Sequence, residues 1–232
     1  MKTLIDNDKL TVKVIEHASS RVILCFTGIG HAIGGVDVQS PEFYNASQSA
    51  TAVYVIDRQR SWGNNLNFAQ LGELLEPYAR DKVICSLGNS MGGFLAILAT
   101  RFFPISSAVA IVPQYSVSRD VIPGETRWRK YVDAVRDWRF PSLAGSFNNT
   151  TQYYIVAAKG GSDDAHLALM PDKKNVQKIY FEREDCVHNV AEVLKSDGLL
   201  YPLISDCFAG KSAGEIIRAR QLDELYNVKW PP

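Results

Sequence analysis

The sequence of 232 residues lacks any long apolar stretch. Its longest uninterrupted runs of apolar side chains, at residues 94–99 and 153–158, each contain six residues. A membrane-spanning helix needs roughly 20 such residues, so we expect no membrane span. The first ten residues, MKTLIDNDKL, place acidic side chains where a secretory signal would have its apolar core. These two absences predict a cytoplasmic protein.

Cysteine is scarce, and neither sign of charge is in excess. The four cysteines have no CxxC spacing and predict reduced thiols rather than a disulfide framework. Lysine plus arginine and aspartate plus glutamate each number 25, so no strong field would draw the chain to nucleic acid or to an anionic membrane. Nucleic-acid binding is therefore disfavoured. The cysteines are Cys25, Cys85, Cys186 and Cys207.

The chain also lacks an internal repeat, a low-complexity segment and a linker rich in proline, glycine and serine. With 46% apolar residues, 232 residues can bury one substantial core but are too few for two roomy domains. We therefore expect a single domain over residues 1–232.

Seven short apolar runs predict β-strands. The first two, residues 10–17 and 21–26, are separated by Ala-Ser-Ser and predict a hairpin. The second of these strands is apolar on both faces, which is typical of a central strand. The other five runs are residues 51–57, 82–87, 107–112, 151–158 and 176–182.

Segments with apolar residues at helical spacing lie between and after these runs. Residues 67–79, 91–103 and 189–195 predict three helices. The alternation of strands and helices predicts an α/β fold, with a mostly parallel central sheet of about seven to eight strands and helices on both faces. A further C-terminal pattern, ending in residues 213–225, is interrupted by Gly198, Pro202 and Gly210.

The sharpest signal is a G-x-S-x-G pattern between a buried strand and an apolar helix, in KVICSLGNSMGGFLAILAT. When a strand turns into a helix within a few residues, the serine between them occupies a strained position with its hydroxyl exposed above the sheet. Gly88 and Gly92 provide the room that this turn needs. Ser90 is therefore the candidate nucleophile, and the helix N-terminus behind it favours a developing oxyanion.

These residues resemble the nucleophile elbow of the α/β-hydrolase superfamily, and the resemblance extends over nearly the whole chain. It implies a second oxyanion donor in the loop that follows VILCF. There the backbone N–H of Ile29 would lie opposite that of Met91. The sequence departs from the family at Thr27 and Gly28, where many members have His-Gly.

The same loop partly matches a dinucleotide-binding fingerprint, because Gly28 and Gly30 follow a strand. The match fails at the third glycine, since position 33 is Ile33 and the next glycine is Gly34. No clear helix follows either, so a nucleotide site is disfavoured.

A serine hydroxyl needs a base to accept its proton, and the family places that histidine after the acid in chain order. His188 follows the last predicted strand by a short loop and is the candidate base. His166 lies one strand too early.

The acid is expected after the preceding strand, where Asp163 and Asp164 are adjacent. Glycine-to-acid spacing does not separate them. We favour Asp163, because the D-x-x-H pattern from Asp163 to His166 resembles a form found in some bacterial members, and we keep Asp164 as the alternative. Asp185, three residues before His188, is a weaker third candidate because it is too close in sequence to point back at the ring.

Substrate contacts are expected from loops at the carboxyl ends of the strands. Trp62, Gln114 and Tyr115 follow two such strands, and Trp62 could stack on a sugar or an acyl group. Residues 117–150 form the main insertion, where the family has its lid. Within this lid-like insertion, Trp128 and three further apolar residues recur at near-helical intervals, so a helix there could form a pocket wall or simply cover the sheet. The three further residues are Val132, Val135 and Trp138.

The PQYS sequence, Arg127-Trp128 and the D-x-x-H pattern together resemble a bacterial branch of serine hydrolases that often occurs with glycan-assembly enzymes. This resemblance implies an O-acyl group on a carbohydrate as the target, with Trp62 and Trp128 as stacking surfaces.

The leading hypothesis is a serine esterase that acts through an acyl-enzyme on a small-molecule or glycan ester and needs no metal or organic cofactor. Thioester, amide or acyl-transfer chemistry would use the same triad, and the oligomeric state is not predicted. A second hypothesis is a non-catalytic binding protein with this fold, because Thr27-Gly28 departs from the family and the acid is ambiguous.

Overall fold

Strands and helices alternate along most of the chain. The computed structural model describes residues 1–33, 36–182, 187–226 and 228. The strands are β1 (Lys2–Asp6), β2 (Leu10–Ile15), β3 (Arg21–Phe26), β4 (His31–Ile33), β5 (Val36–Val38), β6 (Thr51–Asp57), β7 (Val83–Asn89), β8 (Ile105–Ile111), β9 (Gln152–Ala158) and β10 (Val176–Phe181). The α-helices are α1 (Phe68–Ala79), α2 (Met91–Leu98), α3 (Arg129–Val132), α4 (Asp164–Leu167), α5 (Val190–Ser196), α6 (Leu200–Phe208), α7 (Ala213–Arg220) and α8 (Leu222–Tyr226).

Eight of these strands form one sheet in the order β1-β2-β6-β3-β7-β8-β9-β10. The pairings of β1 with β2 and of β2 with β6 are antiparallel, and every other pairing in this sheet is parallel. All seven residues of β6 are buried, which requires cover on both faces of the sheet. The predicted α/β architecture with a mostly parallel central sheet is confirmed.

The predicted hairpin between the first two apolar runs is wrong. β6 lies between β2 and β3 and pairs with both, with Val53 opposite Val14 on one side and Leu24 on the other. Because β6 is apolar from Ala52 to Ile56, it buries more apolar surface as an inner strand than at an edge. The connection over residues 16–20 is long enough to cross from β2 over β6 to β3, since neighbouring strands lie only about 4.8 Å apart.

Three local predictions also need correction. β1 was missed: it is an edge strand whose residues are exposed or half-buried, so it lacks an apolar run. Pro202 does not interrupt the C-terminal pattern, because it occupies the first turn of α6, where a missing N–H costs nothing. The apolar spacing in the insertion yields only the single turn of α3, and the rest of residues 117–150 forms turns and loops.

The insertion is held in this irregular form by polar contacts to the body. Arg139 donates to the main-chain carbonyls of Gly63, Asn64 and Leu66. An isolated helix of this length would be marginal in water, so such contacts decide its conformation.

No helix in the described ranges reaches the length and apolarity that a bilayer crossing requires.

The turn from β7 into α2 brings backbone segments into contact that leave no room for side chains. A Cβ added to Gly88 would lie 2.0 Å from the carbonyl oxygen of Gly92, and one added to Gly92 would lie 2.2 Å from that of Phe26. Both obstacles are backbone atoms and cannot rotate away. The two glycines therefore allow α2 to pack directly on β3 and β7.

We expect Gly92→Ala to lower the free energy of unfolding by about 2 kcal/mol or more, because the added methyl overpacks a site closed by backbone. Urea unfolding followed by circular dichroism measures the change. Gly124→Ala is the matched control, since a Cβ there has nothing within 4 Å. Equal stability of the two variants would contradict this account of the turn.

Candidate active site

The site lies where several parallel strands end at the same edge of the sheet. Ser90 stands between the last residue of β7 and the first of α2, with φ 57° and ψ −119°. A non-glycine residue with a positive φ is strained, and such strain persists only where the surroundings enforce it. Here the Ser90 N–H donates to the carbonyl of Ile111 at the end of β8, at 2.8 Å. The turn is thus fixed to the neighbouring strand.

Three side chains from separate loops form a continuous hydrogen-bonded series at this edge. His188, between β10 and α5, places Nε2 2.9 Å from the Ser90 Oγ. Its Nδ1 lies 2.7 Å from Oδ2 of Asp163, which follows β9. The Asp163 side chain is almost completely buried, whereas that of His188 is 28% exposed. The three residues that the sequence predicted as nucleophile, base and acid therefore lie in contact.

The two adjacent aspartates have different surroundings. Asp163 points at His188, whereas Asp164 is exposed and accepts the N–H of Gly160, at 3.1 Å to Oδ1. Asp164 thus closes the glycine turn, whereas Asp163 binds the imidazole. The third candidate acid, Asp185, lies outside the described residues.

The second carboxylate oxygen of Asp163 is bound by the insertion. Arg127 Nη1 donates to Asp163 Oδ1 at 2.8 Å, while its Nη2 donates to Glu125 Oε2 at 2.6 Å. Both carboxylate side chains are at most 6% exposed, so this is a largely buried network of three charges. The insertion therefore supplies the cation beside the candidate triad acid.

His166 completes this network and has a defined tautomer. Its Nδ1 accepts the main-chain N–H of Tyr115 at 3.1 Å, so the ring proton of the neutral form is on Nε2. Nε2 lies 2.8 Å from Glu125 Oε2 and donates to it. Arg127 Nη2 also approaches Nε2, but both are donors, so Glu125 is the acceptor that they share. His166 is fully buried and binds Glu125 of the insertion. Its ring is linked to the triad indirectly, through Glu125, Arg127 and Asp163.

Burial and charge act in opposite directions on the two carboxylates. Burial alone would raise the pKa of Asp163, but the hydrogen bond from His188 and the charge of Arg127 outweigh it and lower that pKa. Burial likewise opposes ionisation of Glu125, whereas the hydrogen bonds from His166 and Arg127 lower its pKa to about 2. Both groups are therefore anionic at neutral pH, as an acceptor for an imidazolium must be.

The loop after β3 presents the N–H of Ile29 in a fixed direction. The carbonyl of Gly28, in the same peptide group, accepts Gln39 Nε2 at 3.0 Å, and the carbonyl of Ile29 accepts Arg60 Nε at 2.9 Å. In a trans peptide the N–H points opposite to the C=O, so holding the Gly28 carbonyl also orients the Ile29 N–H. Met91 is the first residue of α2, where a helix leaves its N–H groups without partners inside the helix.

Glu42 also contacts the loop after β3, and it was not identified as a site residue from the sequence. It accepts the N–H of Gly28 at 2.9 Å and lies in the wall of the cavity that contains Ser90. Burial raises the pKa of Glu42 to about 7, despite the opposing hydrogen bond from Gly28. Near neutral pH the group is therefore partly protonated, and it can donate to a ligand as well as accept.

A cavity of about 470 Å³ opens onto Ser90 and His188, with Ile29, Trp128 and Glu192 in its walls. The Trp128 ring is tilted against the imidazole of His188, with centroids 6.3 Å apart. Trp128, one of the predicted substrate contacts, therefore lies in the cavity wall beside His188. A second cavity of about 370 Å³ continues the first. Its walls share Glu42, Asn89, Ala191 and Glu192 with the first and add Tyr44, Asn45, Lys195 and Tyr201.

The other predicted substrate contacts do not line the cavity at Ser90. Trp62 and Gln114 are fully buried, so Trp62 has no free face on which a sugar could stack, and that expectation is corrected. Trp62 Nε1 instead lies 3.3 Å from Gln114 Oε1, and Gln114 Nε2 lies 2.8 Å from Ser90 Oγ. Tyr115 contributes its main-chain N–H to His166 rather than a wall of this cavity.

Sequence reasoning did not assign roles to the residues that support the triad and the loop after β3. They come from segments with no regular pattern, and only the D-x-x-H spacing pointed to His166. Two charged residues of the insertion lie at the site, Glu125 buried and Arg127 half-buried. The residues concerned are Gln39, Glu42, Glu125 and Arg127.

Comparison with known proteins identifies the fold. No protein-family model and no curated protein matches the chain. The capsule O-acetyltransferase of Neisseria meningitidis serogroup A is similar in structure, with TM-score 0.61 and 13% identity over 86% of this chain and 93% of that one. Pyrococcus horikoshii acylaminoacyl peptidase matches with TM-score 0.56 and 13% identity, over 82% of this chain and 37% of that one.

The CarC serine hydrolase, involved in carbazole degradation, matches with TM-score 0.50 and 12% identity over 84% of this chain and 93% of that one. Together with the strand order, these similarities show that the chain has the α/β-hydrolase fold, as the resemblance in sequence implied. At 12–13% identity they show the fold alone.

The lowered pKa of Glu125 has a consequence for acid stability. Because this pKa is about 2 in the folded chain against an ordinary value of 4.5, its stabilising contribution is present above pH 4.5. It is lost as the pH falls from 4.5 towards 2. We expect Glu125→Gln to make the loss of stability over this range shallower by up to about 1.4 kcal/mol per pH unit, the value for one proton. Urea unfolding at pH 2–5 measures the slope.

The matched control for this prediction is Glu73→Gln, because Glu73 is an exposed glutamate on α1. It should keep the slope of the unchanged protein. If Glu125→Gln also kept that slope, the buried network would not be responsible for the acid sensitivity.

Proposed function

We propose that this chain is a serine-dependent enzyme that cleaves or transfers an ester group through an acyl-enzyme. The proposal rests on one observation, the unbroken series of hydrogen bonds from Ser90 through His188 to Asp163. A serine hydroxyl becomes nucleophilic at neutral pH when a base takes its proton, and a carboxylate is needed to stabilise the resulting imidazolium. This series supplies both groups in the required order.

The proposed reaction has two steps. In the first, Ser90 Oγ bonds to the ester carbonyl carbon while its proton passes to His188 Nε2, and the carbonyl oxygen becomes an oxyanion bound by the N–H groups of Ile29 and Met91. When this intermediate collapses, the alcohol leaves with the proton from His188. In the second step, water or another hydroxyl attacks the acyl-enzyme by the same route, and Ser90 recovers its proton.

The shape and polarity of the cleft support an ester of a polyhydroxylated alcohol, such as an O-acylated carbohydrate. The cavity at Ser90 has room for a small acyl group, and the adjoining cavity offers two tyrosine rings together with carboxyl, amide and ammonium groups. Aromatic faces beside several donors and acceptors suit a sugar ring with its hydroxyls. The polar side chains are Glu42, Asn45, Glu192 and Lys195.

Hydrolysis and acyl transfer differ in what reaches the acyl-enzyme. The structurally similar capsule O-acetyltransferase is named for transfer to a capsule, and the other two proteins are named as a peptidase and a hydrolase. In this chain the adjoining cavity would hold either the leaving alcohol of an ester or the hydroxyl of an acceptor. We therefore propose acyl-ester chemistry on a glycan without choosing between the two directions.

Ser90→Ala should reduce the hydrolysis of p-nitrophenyl acetate by at least about 10³-fold and abolish covalent labelling by a fluorophosphonate probe, because the nucleophile is lost. The control Ser205→Ala changes an exposed serine on α6 and should leave both readouts unchanged. Unlabelled but folded native protein would contradict the proposal and favour a non-catalytic binding protein.

Asp163→Asn should lower kcat by about 10³- to 10⁴-fold, because an amide in place of the carboxylate favours the wrong tautomer of His188. Steady-state kinetics with p-nitrophenyl acetate gives the value. Asp164→Asn is the neighbouring control, and it should change kcat by less than about threefold, because within the described residues the Asp164 carboxylate binds the turn at Gly160. If both variants lost activity equally, Asp163 would not have the proposed role.

A further inference from the structure

Gln114 and Trp62 each lie on or beside strained backbone. Trp62 has φ 50°, and Val112, two residues before Gln114, has φ 40°. A positive φ is a genuine outlier for a bulky or β-branched residue, because the side chain collides with the backbone. Strain of this kind persists where the surroundings enforce it. Two such positions, at Trp62 and beside Gln114, indicate that the surrounding structure holds this pair of side chains in a defined place.

The loop that holds Trp62 is fixed by a buried carboxylate. Asp57 Oδ2, at the end of β6, accepts the N–H groups of Ser61 and Gly63 and the Ser61 hydroxyl, all at 2.9–3.0 Å. The indole between these two residues is fully buried. Trp62 Nε1 is therefore directed at one partner and has little freedom to leave it.

The indole determines which way round the Gln114 amide lies. An indole N–H only donates, so the atom 3.3 Å from it must be the acceptor of Gln114, Oε1. The amide nitrogen then points the other way, to Ser90 Oγ at 2.8 Å. Asn and Gln orientations are in general assigned from such networks, and here a donor-only partner leaves one assignment.

This orientation determines where the serine proton points. Ser90 Oγ receives a hydrogen from Gln114, so its own hydrogen is free for another acceptor. The only other partner that the described structure gives this oxygen is His188 Nε2, at 2.9 Å. Asp163 accepts from Nδ1 on the far side of the ring, so in the neutral tautomer Nε2 carries no proton and can accept.

We propose that Gln114 is a catalytic residue that directs the Ser90 proton towards His188, and that Trp62 is a positioning residue acting through Gln114. The amide donor blocks the orientations in which the hydroxyl would point away from the base. It also stays in contact with Oγ while that oxygen gains negative character in attack and in expulsion of the acyl group. This inference rests on the proposed function of Ser90 and extends it to two residues that touch no substrate.

Few ionisable groups adjoin the pair. His188 lies beyond Ser90, His166 contacts the backbone of the adjoining residue Tyr115, and Asp57 lies under the Trp62 loop. A substitution at Gln114 removes none of these side chains. The unchanged protein therefore provides the reference pH profile.

The test replaces the amide by an isosteric acid, in Gln114→Glu, and measures the rate of fluorophosphonate labelling from pH 5 to pH 9. When protonated, the introduced carboxyl can donate to Ser90 as the amide does. When ionised, it only accepts and competes with His188 for the serine proton. We expect labelling close to that of the unchanged protein at the acid end, and at least tenfold slower labelling at pH 8.

A pH-independent ratio between the two labelling rates would overturn the proposal, because it would show that a donor and an acceptor at position 114 serve Ser90 equally well. The probe reports serine reactivity without ester recognition, so a substrate-binding role is also distinguished. If the unchanged protein itself fails to label, the proposed function fails. If it labels normally and the ratio is constant, only this inference fails.

Trp62→Phe is a second variant that leaves Gln114 in place and removes the indole N–H. Without that donor the amide orientation is no longer imposed, and we expect labelling to slow by about threefold to tenfold at temperatures well below the melting point. Trp138→Phe makes the same chemical change in a half-buried residue of the insertion and should label at the rate of the unchanged protein. Equal rates for the two phenylalanine variants would contradict the role of Trp62.

Discussion

The tight turn between β7 and α2 is the constraint on which the site depends. It forces Ser90 into a left-handed conformation and requires glycine at positions 88 and 92, because the helix backbone passes within contact distance of β3 and β7. The strained conformation is maintained by the strands on either side of β7, β3 and β8, and by the hydrogen bond from the Ser90 N–H to the Ile111 carbonyl. As a result the hydroxyl stands above the sheet edge with a helix N-terminus behind it.

The site surrounds this serine with groups of fixed hydrogen-bond direction. Asp163 sets the tautomer of His188 from one side, and Gln114 binds the serine oxygen from the other. Preorganised donors and acceptors cost no reorientation when charge develops, which is why their directions matter more than their number. The cation beside the acid, Arg127, comes from the insertion, so this segment contributes to the electrostatics of the site as well as to its walls.

The cleft and the loop after β3 are coupled through Glu42. This carboxyl binds the N–H of Gly28, next to the proposed oxyanion donor Ile29, and also lies in the walls of both cavities. Because burial raises its pKa to about 7, its charge can change near neutral pH, and with it the field at the site. A ligand that displaced water there would therefore meet either a donor or an anion, depending on pH.

By itself the sequence determined the α/β class, most strands, and the positions of Ser90, His188 and the two candidate acids, because these depend on local apolar periodicity and on one short motif in its required context. Tertiary structure alone decided that β6 separates β2 from β3, since pairing depends on which strand gains most from burial on both faces. The D-x-x-H pattern favoured Asp163 over Asp164 but glycine-to-acid spacing did not separate them, and the contact of Asp163 with His188 is a feature of the tertiary structure. The roles of Trp62, Gln114 and Arg127 likewise arise from contacts between segments more than 20 residues apart, which no local pattern records.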